Sequence, residues 1–449
     1  MPDRPPRAGP PGCGSGNGRT LRWGRVSLAS EPPRSVTLIL RARGRFRLSR
    51  PRPALLILAA GVVLLELILS GTMGSAYSVF SATTTNSANS FSAASVFPPN
   101  GALYSVGANA NGQLGLGDTS IHYSPVQVGT SQWKQVGGGA RHACGVRSDN
   151  SLWCWGSNAT GQLGTGNNTD QYSPVQPLTN TNFSMAVGRD DFSCAIRGDG
   201  TLWCWGGNGN GQLGTGDTTS RLQPVQIGTA TWTTVTAGLY HACGIQTDGS
   251  LWCWGANGSG QLGLGSNSPS SYLTPTRVGT ATTWTSVAAG YLSTCATKSD
   301  GTLWCWGDNT HGQLGIGNTL PQYSPTQVSG TTWVTVSAGQ YTACAIQTSG
   351  TLWCWGENSN GEVGIGNTST PQLTPQQVTT ATNWNTVSLG YQHSCATRSD
   401  GTGWCWGNNT NGQLGQGNTT QQTLPVQLPF ATVQAVFSGS QSNSTYIIK

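Results

Sequence analysis

From residue 101 to the C-terminus, apolar residues come in short bursts, each closed by Gly, Asn, Asp or Pro. That pattern predicts short antiparallel strands rather than helices. The stretch Trp232–Gly263 reads WTTVTAGLYHACGIQTDGSLWCWGANGSGQLG and shows the elements. Trp-x-x-Val, as in Trp284 to Val287, predicts one strand. Cys243–Gln246 and Ser250–Gly255 predict the two arms of a hairpin around Asp248-Gly249. A three-residue hairpin loop needs positive φ at its end, which Gly adopts without steric cost. The same slot holds Gly200, Gly301, Gly350, Gly401 and, once, Asn150. Pro-x-x-Val, as in Pro275 to Val278, predicts a fourth strand on an edge, entered through Pro.

This four-strand unit recurs. The phrase Trp-Gly-x-Asn-x-x-Gly, usually continued Gln-Leu-Gly, begins at Trp155, Trp205, Trp254, Trp306, Trp355 and Trp406, with a weaker copy at Val106. Steps of 49, 50, 49, 52, 49 and 51 residues and four strands per step predict an all-β, seven-bladed β-propeller of ~50-residue repeats. Aligning both chain ends with the repeat places Ser444 at the first cysteine position and Ser105 at the second. The seventh blade is then built from both termini, which removes the last open edge. Seventeen of the 18 Trp fall on repeat positions, the distribution expected of core packing between blades rather than of an aromatic box.

Charge divides the chain. Residues 1–53 carry 12 Arg against Asp3 and Glu31 and read as a disordered Arg/Pro-rich leader. The remainder holds more acids than bases, so the overall +6 belongs to the leader. No nucleic-acid partner is expected of the repeats. Residues 54–76 contain the apolar run Ala54–Leu69, interrupted by Glu66 and followed by small residues. It reads as either a cleaved secretory signal or an uncleaved membrane anchor. Residues 77–100 are a Ser/Thr/Asn-rich linker, and 101–449 are the propeller. The segment Ala76–Ala93 resembles a leader class on Gram-positive exported proteins. The expected location is therefore outside a bacterial cell, secreted or held at its surface.

Cys13 lies in the leader. The other twelve cysteines form pairs ten apart: Cys144-Cys154, Cys194-Cys204, Cys243-Cys253, Cys295-Cys305, Cys344-Cys354 and Cys395-Cys405. Counting outward from the hairpin loop puts each pair on facing, non-hydrogen-bonded positions, where Cα atoms are about 4.5 Å apart. Zinc is the rival reading, but two thiolates per hairpin do not complete a tetrahedral site. Buried free thiols are the third reading. Export favours six disulfides.

The signature G-x-x-H-x-C…D-G-x-L-W-C-W-G-x-N-x-x-G-Q-L-G…P-x-x-V, over about 101–449, resembles that of regulator of chromosome condensation repeat propellers. In eukaryotic nuclear members the resemblance implies nucleotide exchange on a small GTPase, using acidic and His residues of the G-x-x-H loops and an inserted β-wedge. Here only His142, His241 and His393 occupy the His slot, Asp190 and Asp191 are the only loop acids, and no repeat is long enough for a wedge. Exchange activity is not expected to carry over. No catalytic residue, metal ligand or cofactor is expected.

The loops between the Trp-x-x-Val strand and the Cys strand vary from blade to blade. They supply the candidate binding residues Arg141, His142, Asp190, Asp191, Phe192, Tyr240, His241, Tyr291, Leu292, Tyr341, Tyr391 and His393 on one face. Asn158, Asn208 and Asn309 are expected on the opposite face. The function these residues favour is a non-catalytic, monomeric interaction scaffold for an unknown extracellular protein. The alternatives are an inhibitor of an extracellular enzyme, similar to propeller inhibitors of β-lactamases, and a carbohydrate-binding propeller.

Overall fold

The computed structural model describes residues 100–178, 182–330, 332–439 and 441–449. Cys13, the leader, the apolar segment and all but the last residue of the linker lie outside the described residues. Among the described residues twenty-six strands make seven antiparallel blades of four. In blade 4 the strands Trp284–Ala289, Ser293–Lys298, Leu303–Gly307 and Gln322–Gln327 lie side by side in chain order. Blades 5 and 6 repeat this order. The strands His122–Gly138 and Arg221–Ala237 each serve twice, as the outer strand of one blade and the inner strand of the next.

Blade 7 is the closure. Ala435–Ser438 and Ser444–Ile448 come from the C-terminus. Gly101–Gly107 and the first part of His122–Gly138 come from the N-terminal side. The register differs from the sequence expectation: Ser105 faces Tyr446, and Gly107 faces Ser444. The position opposite Ser105, where other blades have their first cysteine, is therefore Tyr446. The loop after Ser438 explains the slip. Ser438 pairs with Thr445 through a turn two residues longer than the Ala237-to-Ala242 turn of blade 3.

The hairpins follow the expected turn chemistry. Gly249 has φ 79° and Asn150 φ 68°, the left-handed conformation that ends a three-residue loop. Cys243 faces Cys253 in the register, and all six pairs are disulfides with Cα atoms 4.0–4.1 Å apart. Each closes a short loop, so each stabilises by about 2 kcal/mol. The proline lies inside the edge strand rather than at its start. Ser271–Arg277 begins four residues before Pro275, which falls in the register break between the Gly255–Tyr272 and Cys253–Thr276 pairs. A bulge is where a residue without N–H costs no ladder bond. Pro125, Pro174, Pro224, Pro275, Pro325, Pro375 and Pro425 give every outer strand one such residue. Exposed edges are blunted this way against edge-to-edge pairing.

The core is seven wedges between blades. Cys243, Ile245, Leu251 and Leu262 of blade 3 pack on Trp284, Val287 and Trp306 of blade 4, for example, and Leu103, Tyr446 and Ile448 of blade 7 pack on Trp133 and Trp155 of blade 1. The second Trp of each W-C-W is fully buried. Its indole N–H donates to a main-chain carbonyl of the preceding repeat phrase, as in Trp254 to Gln212 (2.9 Å) and Trp406 to Glu362 (2.9 Å). The repeated Asn is a second organiser. Asn309 is fully buried; its Oδ1 accepts the Leu314 N–H, and its Nδ2 donates to the carbonyls of Asn318 and Leu320.

Candidate functional site

Seven inner strands surround a central channel, contributing among others Gly137, Val187, Thr236, Ala288, Ser337, Ser388 and Ser438. Each inner strand turns at one face into the loop that carries the candidate residues. The Asn phrase opens on the same face, because three strands cross the blade before it begins. Direct bonds join the two sets. Thr160 Oγ1 donates to the Asp191 carbonyl (2.8 Å), and the Ser157 N–H to the Arg141 carbonyl (2.9 Å). The expectation of opposite faces is thus corrected, and Asn158, Asn208 and Asn309 are buried besides.

The three His side chains are buried, not displayed. His142 Nε2 lies 2.8 Å from Ser193 Oγ, which donates onward to the Gln162 carbonyl (2.9 Å). With that hydroxyl proton committed, the imidazole must be the donor, so Nε2 carries the hydrogen. His241 makes the same chain through Thr294 to Gln261, and His393 through Thr445 to Gln413. Each chain joins one blade to the next. Burial pushes all three imidazoles down to about 3, so they are neutral. A Cβ at Gly238 or Gly390 would run into the His241 or His393 ring, which is why G-x-x-H begins with glycine. The chain carried a signal for this role. Each His precedes a blade with Ser or Thr at the next position. Where that residue is Ala242, Ala343 or Ala143, the His slot holds Phe192, Ser293 or Ser444; Thr342, which precedes Ser394, is the exception. Phe192 is likewise fully buried in the wedge between blades 2 and 3.

What remains on the surface is an aromatic arc. Tyr240, Tyr291, Tyr341 and Tyr391 are half-buried, as is Leu292, and Arg141 is exposed. Tyr291 and Tyr341 meet edge to face at 5.7 Å. Tyr240 lies within electrostatic reach of Tyr291, and Tyr341 of both Tyr291 and Tyr391, so the four follow blade order around the channel mouth. His311 stacks on Tyr341 at 4.1 Å and pairs with Glu357 at 2.5 Å. Neither residue stood out in the sequence, because both belong to the Asn-phrase segment rather than to the variable loops. Main-chain bonds tie neighbouring loops together: Leu239 N–H to Tyr291 O, Tyr291 N–H to Gly339 O and Tyr391 N–H to Ser442 O, at 3.2, 3.2 and 3.0 Å.

The arc is acidic at its edges. Burial and neighbouring Asp190 raise the carboxyl of Asp191, and burial together with these two carboxylates raises the Tyr240 hydroxyl. Asp308 and Glu357 lie beside Tyr341 and His311. Among the described residues no group of three His, Cys, Asp or Glu side chains gathers as metal ligands, and no helix is long and apolar enough to cross a membrane.

The comparisons agree with this architecture. A family profile described as the RCC1-like domain matches residues 102–444. The ultraviolet-B receptor UVR8 of Arabidopsis thaliana is 32% identical over 154 residues, 33% of this chain and 35% of that protein. The chain thus spans about a third of that relative's length. Among solved structures, Prp20p from Saccharomyces cerevisiae has a TM-score of 0.69 at 19% identity, covering 78% of this chain and 91% of its own. Human WBSCR16 has a TM-score of 0.69 at 19% identity, covering 78% and 98%. Likeness at these identities concerns the fold.

Proposed function

The chain belongs to the RCC1-like domain family, and on that premise we propose that it is an exported, non-catalytic scaffold that binds a protein on the loop face. The carrying observation is the arc of Tyr240, Tyr291, Tyr341 and Tyr391 on loops joined by interblade main-chain bonds. Such a surface loses little entropy on binding, and Tyr anchors dominate interfaces, each contributing about 2 kcal/mol or more at a hot spot. Asp190, Asp191, Asp308 and Glu357 around the arc suit a partner patch with Lys or Arg at its apolar edge. Six disulfides point to an oxidising environment, which supports export.

The test is quantitative capture from the organism's own culture fluid and cell envelope. Three immobilised forms are compared: the native propeller, one with all four Tyr changed to Ala, and one with Ser299, Thr348 and Ser399 changed to Lys. The last three are exposed on the hairpins of the other face. The proposal predicts one specific partner lost only with the Tyr variant. Loss with the Lys variant alone assigns binding to the wrong face and defeats it.

A further inference from the structure

The central channel is lined by aliphatic side chains, glycine, small hydroxyls, Gln135 and Phe437, and among the described residues it carries a single charge, Arg189. Arg189 occupies the slot that is glycine in the other six blades: Gly139, Gly238, Gly290, Gly339, Gly390 and Gly439. In those blades a side chain is excluded, since a Cβ at Gly439 would meet the Gly138 carbonyl and one at Gly238 the His241 ring. Blade 2 alone holds a side chain there, and it is the residue most costly to bury without a partner.

Arg189 is 3% exposed. Its Nε and Nη2 have no hydrogen-bond partner among the described residues. These two N–H groups share one edge of the guanidinium and point the same way, the fork that matches two oxygens of an oxyanion. No described carboxylate lies within 4 Å. Asp190 is adjacent in sequence and half-buried, and His241 nearby is neutral. Burial pushes the guanidinium down to about 9, with Asp190 opposing only in part.

We propose that the channel binds one small oxyanion, sulfate-like or phosphate-like, gripped side-on by Arg189. The channel's free volume, about 200 Å³, falls below the roughly 300–1,000 Å³ of pockets for drug-sized ligands, so an inorganic anion suits it. The anion supplies the charge and the two acceptors that the fold leaves out.

The test is equilibrium dialysis of the propeller against radiolabelled sulfate at constant ionic strength, with chloride as the balancing anion. The native chain should take up one sulfate saturably. Arg189→Gly, which restores the pattern of the other blades, should take up none, and Arg189→Lys, which keeps the charge but not the fork, should bind at least tenfold more weakly. Melting curves provide the second readout. General salting-out by sulfate stabilises all three forms, but only the native chain should show an additional saturable rise. Uptake by Arg189→Gly equal to that of the native chain overturns the proposal, as does absence of saturable uptake by the native chain.

Discussion

Glu362 offers a perturbation whose size follows from its surroundings. Six repeats place a buried Gln in this slot: Gln113, Gln162, Gln212, Gln261, Gln313 and Gln413. Its side-chain oxygen accepts a main-chain N–H two residues back, as Gln413 does from Asn411 (2.9 Å). Glu362 keeps that bond, accepting from Asn360 at 2.7 Å, while only 2% exposed. Burial pushes its carboxyl up to about 7 from an ordinary 4.5, and the nearby Glu357 adds to the rise. The folded chain therefore holds this proton more tightly than the unfolded chain. The resulting stability is fully present below about pH 4.5 and is lost as pH rises through 7. A shift of that size corresponds to about 3 kcal/mol above pH 7. Glu362→Gln keeps the acceptor and removes the charge. Guanidinium unfolding should find the variant more stable by up to about 3 kcal/mol at pH 8 and near parity at pH 4. Equal differences at both pH values, or a variant weaker at pH 8, would refute the reasoning.

The buried His chains predict the opposite limb. Imidazoles held down to about 3, against an ordinary 6.5, contribute stability that is present above pH 6.5 and lost as pH falls toward 3. At pH 5 the loss is about 2 kcal/mol for each His. Changing His142, His241 and His393 together to Gln should flatten acid unfolding between pH 6.5 and 3, and an unchanged acid limb would count against the neutral-donor assignment. For the closure, Ser105→Cys with Ser444→Cys should leave two titratable thiols under oxidising conditions, because Ser105 faces Tyr446. A seventh disulfide in that double variant would contradict the register.

The repeat made the blades, the hairpins and the cysteine register legible, because each is a local pattern copied many times. Cys243 and Cys253 follow from counting outward from Gly249 alone. The closing blade was legible as a plan but not in register. Its loop after Ser438 is two residues longer, and no repeat copy shows that. The face of the Asn phrase could have been found by counting strands, since the two strands between the variable loop and the phrase, an even number of crossings, return the chain to the side it left. The His reading failed for a different reason: the partner hydroxyls of His142 and His241 lie 51 and 53 residues away, in the next blade. The candidate site was therefore legible in its tyrosines and not in its histidines. His311 and Glu357 became part of it only when the Asn-phrase segment was placed beside the loops.

The central claim, that the loop face does the binding, is tested most directly by site-specific photo-crosslinking on the full-length protein in its own organism. A benzophenone amino acid placed at Tyr291 lies on the aromatic arc, and one at Thr348 lies on an exposed hairpin of the other face. The account predicts a discrete crosslinked adduct from position 291 and none from 348. An adduct from 348 with none from 291 would contradict it.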